Sequence, residues 1–170
     1  MQKNVSIWQL WGFGVTSLLG TLLHFLYDWT GGSVWVAPIS AVNESTWEHM
    51  KLLFFPMFIF ALVQSYFWRD DPRFWCIKAR GITLGLLLIP VLFYTLNGVF
   101  GQTPDYVNIA IFFVSAAIAY SYETRLLKRG DLGCEYSRGG LIWLWVLGIL
   151  FVVFTFVPPE IPLFEDPLGR

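Results

Sequence analysis

The chain has 170 residues, 56% of them hydrophobic and 19% aromatic with only 14% charged, and a mean hydropathy of +0.58. That composition excludes an ordinary soluble domain and points to one integral membrane domain over residues 1–170. The formal net charge of −1, with its basic residues scattered, excludes the basic face that nucleic-acid phosphates require.

Spanning the hydrocarbon of a bilayer takes about 20 apolar residues. In lipid a lone strand would leave its backbone unsatisfied, so each span must be helical. Five helices are expected, at about 5–27, 46–68, 79–100, 106–127 and 139–157, with a proline-rich tail at 158–170. The fold class is therefore all-α, a polytopic bundle of five transmembrane helices. The first helix is too long for the apolar core of a signal peptide and has no small-residue cleavage site, so it is read as retained. Its Gly12, Thr16 and Gly20 recur every fourth residue, a small-residue ridge that lets a neighbouring helix approach closely. His24 and Asp28 are the next steps on that ridge, which drifts by about 40° per step because four residues exceed one turn. Both are expected to point into the bundle.

Orientation follows from the positive charges. Lys3, Arg69, Arg73, Lys78, Arg80, Arg125, Lys128, Arg129 and Arg138 fall at one end of the alternating helices, leaving Lys51 and Arg170 opposite. The positive-inside rule then places the N-terminus in the cytoplasm and the C-terminus outside. Cys76 and Cys134 stand apart in polar loops on the cytoplasmic side, where no disulfide framework is expected. The expected localisation is the cell membrane, multi-pass. The outer halves carry most of the polar groups, and the inner halves are nearly free of them.

Asn43-Glu44-Ser45-Thr46-Trp47-Glu48-His49-Met50-Lys51 is the densest polar stretch, and it opens the second helix at the outer face. Ser45-x-x-Glu48 reads as a capping box, and Lys51 can pair with Glu48 or reach for the headgroups. His49 is needed by no cap. Imidazole and carboxylate together form the usual donor set for zinc and related divalent ions. His24, Asp28, Glu48 and His49 are therefore the expected metal ligands. Glu44 is the expected general base, with Ser45 or Asn97 beside the developing oxyanion. Pro56 frees the Leu52 carbonyl. The tail, with Ile161, Leu163 and Phe164 to bury, reads as a lid over the mouth or an interfacial anchor, and Glu165 and Asp166 could reach the site. No organic cofactor is indicated.

The run from Val42 to Leu52 and the tail from Pro158 to Pro167 resemble a family of small bacterial five-helix membrane proteins of unknown function; the resemblance covers the whole chain and implies no activity. More faintly, Ser45, His49, His24 and Asp28 are similar to the polar set of the intramembrane zinc hydrolases that include alkaline ceramidases and progestin-type receptors. Those have seven helices, and here carboxylates would replace a missing histidine. Three functions are consistent with these residues: a metal-dependent hydrolase acting on a lipid or small amphiphile, a cation- or proton-coupled transporter or channel, and a non-catalytic scaffold. Membrane lipids and further copies of the chain are the expected partners.

Overall fold

The computed structural model describes residues 4–101, 103–129, 133–134 and 137–166. The expectations that rest on Lys3, Gln102 and the last four residues of the tail lie outside the described residues. Five helices follow one another: α1 (Val5–Trp29), α2 (Thr46–Phe67), α3 (Phe74–Phe100), α4 (Asp105–Lys128) and α5 (Ser137–Phe156), then a 3-10 turn at Pro162–Phe164. All five are long and apolar enough to cross a membrane.

α2 is the central helix: 61% of its most apolar window is buried, against 17% to 33% in the others. Leu53, Phe54, Met57, Phe58 and Phe60 of α2 meet Ile82, Leu86 and Ile89 of α3, Ala116, Ala119 and Tyr120 of α4, and Leu144 and Phe151 of α5. With no hydrophobic drive between helices in lipid, close packing has to hold them together. The ridge on α1 does this. Gln9, Gly12, Thr16 and Gly20 are its buried residues. A Cβ at Gly12 would strike Tyr120 and Phe60, and one at Gly20 would strike Phe112 and the Leu52 carbonyl. That carbonyl is the one Pro56 leaves without its helical donor. It rests against the Gly20 backbone, so the proline of α2 and the glycine of α1 are two halves of one contact.

Local chemistry sets the ends. The Ile7 amide donates to Asn4 Oδ1 at the start of α1, and Thr30 Oγ1 donates to the Leu26 and Tyr27 carbonyls at its end. Gly31 and Gly32 then turn the chain at φ +68° and +77°, a region glycine enters without steric cost. Only half of the capping box of α2 forms. Ser45 Oγ accepts from the Glu48 amide at 3.4 Å, whereas the Ser45 amide donates to Asn43 Oδ1 rather than to Glu48.

α3 begins at Phe74, five residues before the expected 79, because Asp71 organises the turn into it. The Arg73 amide donates to Asp71 Oδ1 at 2.9 Å and the Phe74 amide to the Asp71 carbonyl at 3.1 Å. The Asp71 carboxylate also grips the Arg73 side chain and holds its guanidinium above the ordinary arginine value. This early start corrects the reading of the cysteines. Cys76 lies in the first turn of α3 and forms a disulfide with Cys134, their Cα atoms 5.8 Å apart. The bond sits at the basic end of the bundle. Disulfides persist in oxidising compartments, so it opposes the orientation drawn from nine lysines and arginines.

Candidate functional site

Three side chains from three stretches meet where α1 ends and α2 begins. His24 sits on the last part of the α1 ridge, Glu44 in the loop just before α2, and His49 in the first turn of α2. His24 Nε2 is 3.9 Å and His49 Nε2 3.5 Å from Glu44 Oε2. The two rings stand edge to face, their centroids 5.4 Å apart. One donor atom from each residue lies within 4.8 Å of the other two. A tetrahedral ion with bonds of about 2.1 Å holds its donors about 3.4 Å apart. Two of the gaps, 3.5 and 3.9 Å, are near that figure, and the third is within 4.8 Å.

The tautomer of His49 is fixed. Its Nδ1 is 2.9 Å from the Ser45 carbonyl, which can only accept, so Nδ1 carries a proton and Nε2, which faces Glu44, is the ligating atom of the neutral ring. A metal-ligating histidine is characteristically held in this way by a backbone carbonyl behind the ring. All three side chains are partly exposed, at 23% to 29%, as a mouth reached by solvent or solute requires.

The expected ligand set is rearranged. Asp28 is exposed and lies outside the cluster. The 40° drift that spares His24 carries the next step of the ridge off the packed face. Glu48 is turned inward, its Oε2 receiving the Lys51 ammonium at 2.6 Å and the Val42 amide at 2.9 Å. Glu44, expected as the base, stands where a ligand would. Ser45 serves the α2 cap, and its carbonyl serves His49. Asn97 is spent on the link between α3 and α4, donating to the Phe93 carbonyl and accepting from the Thr103 amide and hydroxyl.

Lys51 does not reach for the headgroups. It is fully buried, and its ammonium donates to Glu48, to the Ala37 carbonyl at 2.9 Å and to Thr155 Oγ1 at 2.7 Å. Loop, α2 and α5 are tied at one atom. Ser40 fastens the same loop to α1, donating to the Leu23 carbonyl and accepting from the Tyr27 amide. The tail lies over the adjoining surface. Tyr94 Oη donates to the Pro162 carbonyl at 3.0 Å, and the Phe164 ring packs 4.7 Å from Trp47 and 5.6 Å from Phe154.

A second polar cluster was not anticipated. Lys78, read as a loop residue, is inside α3 and buried; Glu123, at the end of the fourth apolar run, is inside α4 and buried. Their charged groups are 2.6 Å apart, and Gln9 of α1 bridges them, donating to Glu123 at 2.9 Å and accepting from Lys78 at 3.2 Å. Nearby, Thr16 and Tyr120 share a hydrogen bond of 2.7 Å. The expectation that the inner halves of the helices are nearly free of polar groups is thus corrected. The signal was present: Phe74, Lys78, Ile82 and Gly85, with Ile77, Gly81 and Ile89, form one buried stripe at helical spacing. Lys78 belongs to that stripe.

A family model described as "Family of unknown function (DUF6512)" matches residues 1–170. No curated protein and no solved structure matches the chain, so the likeness to the intramembrane zinc hydrolases gains no support.

Proposed function

The chain belongs to the family of unknown function DUF6512, and for this member we propose a multi-pass cell-membrane protein that holds a divalent ion of the zinc class and hydrolyses an ester or amide of a lipid or small amphiphile. The ligands are His24, Glu44 and His49. The N-terminus is cytoplasmic and the site faces outward. One observation carries the reading: two imidazoles from separate helices and one carboxylate bring donor atoms within 4.8 Å of one another. Among the described residues this is the donor set that divalent zinc prefers, and three protein ligands leave a position for water or substrate. The bound ion would polarise the substrate carbonyl and lower the pKa of a bound water to around 7.

The chain's own residues have defined parts in this reading. Ser45 holds the His49 ring in the ligating tautomer through its carbonyl. Lys51 and Glu48 hold the loop that carries Glu44, through Ala37 and Val42. Phe25, stacked on His24, and Trp29, stacked on Phe25, leave large apolar faces exposed beside the site, which suits an amphiphile arriving from lipid.

Elemental analysis of protein purified in detergent with zinc supplied tests the reading. One equivalent is expected in the wild type and none in His24→Ala or His49→Ala. Metal content unchanged in both variants would exclude the site.

A further inference from the structure

We infer that the inner, basic end of the bundle contains a water-binding site, in which bound water joins the Gln64 amide of α2 to Glu123 Oε1 of α4 and completes the Lys78, Glu123 and Gln9 cluster. The inference is independent of the metal reading at the other end.

Helix register brings Gln64 to the cluster. Gly12 of α1 packs on Phe60 of α2 and Tyr120 of α4, and Gly20 packs on Leu52 and Phe112. A step from Gly12 to Gly20 along α1 is therefore matched by equal steps backward along both neighbours, which run antiparallel to it. In the opposite direction the same register sets Gln9 level with residue 123 of α4 and residues 63 and 64 of α2. The hydrogen bond of 2.9 Å from Gln9 to Glu123 obeys it. On α2, Val63 is exposed and Gln64 is fully buried, so Gln64 is the member that turns inward. The ring of Trp8, next to Gln9, lies 6.3 Å from Phe60 and 5.5 Å from Trp68. Those two residues stand one helical turn to either side of Gln64.

The chemistry of the unmatched atoms names the ligand. Glu123 Oε1 accepts, Gln64 Nε2 donates and Gln64 Oε1 accepts, and none of the three has a hydrogen-bond partner among the described residues. Gln9 and Lys78 are already bonded to each other and to Glu123 Oε2, and Thr16 is bonded to Tyr120. Buried polar groups are characteristically satisfied by ordered water when protein partners are missing. The Lys78 ammonium disfavours a cation here, and the Glu123 carboxylate disfavours an anion. Water is neutral, donates to the carboxylate and accepts from the amide. Its route is short, since Gln64 lies one turn from the Phe67 end of α2 and Lys78 one turn from the Phe74 start of α3.

Water–amide cross-relaxation in the NMR spectrum of full-length, 15N-glutamine-labelled protein in detergent tests the site, with the Gln64 signal identified by its loss in Gln64→Leu. The Gln64 side-chain amide is expected to show a cross-peak to a water that resides longer than bulk solvent. Absence of that cross-peak, or a cross-peak to another side chain in its place, would overturn the site. Thermal unfolding gives a second reading, because leucine improves on an unmatched buried amide but not on one bridged by water. Gln64→Leu is expected to lower the melting temperature by about 2–4 °C. In Lys78→Met/Glu123→Leu, where no carboxylate remains to bridge, the same change is expected to leave the melting temperature level or raise it. A rise in the otherwise wild-type chain, or an equal fall in both backgrounds, would overturn the bridge.

Discussion

The two ends of the bundle, the one at His49 labelled outer and the basic one inner, each bury a lysine against a glutamate, and the two pairs are finished differently. At the outer end all three protons of the Lys51 ammonium have acceptors, in Glu48, Ala37 and Thr155. At the inner end Lys78 has Glu123 and the Gln9 amide, with the rings of Phe74 and Tyr120 5.7 and 5.6 Å from its nitrogen. Glu123 Oε1 and both polar atoms of the Gln64 amide find no hydrogen-bond partner among the described residues. A buried polar group left unmatched costs free energy that a matched one does not. The outer pair is therefore a completed joint that shapes a mouth. The inner pair is an incomplete one, retained in the apolar part of the bundle, where ionisable residues commonly mark function.

The contrast can be broken most forcefully at the inner end. Glu123→Leu strands a buried ammonium with one neutral acceptor, and a loss of about 5 kcal/mol is expected, the upper end for a broken buried pair. Thermal unfolding in detergent should show it, and the double variant Lys78→Met/Glu123→Leu should recover most of the loss. If the single variant melts like the wild type, the pair is not the inner clasp described here. At the outer end Lys51→Met should cost less, about 3 kcal/mol, since Glu48 keeps its bond from the Val42 amide. A melting temperature lower than that of Glu123→Leu would reverse the ranking. The smallest effect is expected at the site itself. His49→Ala should shift stability by no more than about 1 kcal/mol, as its ring is partly exposed and its Nδ1 bonds a carbonyl that already accepts from the helix. In the wild type, zinc uptake should fall as the solution is acidified, because protons compete for the same imidazoles and carboxylate. Uptake that is flat with pH would point to ligands other than these.

The five spans were legible because each is an uninterrupted apolar run with polar ends. The meeting of His24 with His49 was legible too, since a four-residue ridge aims one ring inward and helix alternation brings the other to the same level. The choice between Glu44 and Glu48 was not. Both suit the start of a helix, and the decision fell to Lys51, whose burial draws the carboxylate three positions back away from the mouth. Lys78 was misplaced for a related reason. A lone charge is read as the point where a helix leaves the membrane, yet a charge matched by a partner 45 residues away can remain inside. The cysteines depended on that same boundary, because Cys76 reaches Cys134 only once α3 starts at Phe74.

The anchoring of Ala37 by Lys51 also decides how far the loop before α2 can move. With its carbonyl pinned to α2 and α5, and Ser40 hooked onto α1, the 30–45 segment is a fixed doorframe rather than a shutter. On the flank of α1 beside it, Phe25 and Trp29 are bare.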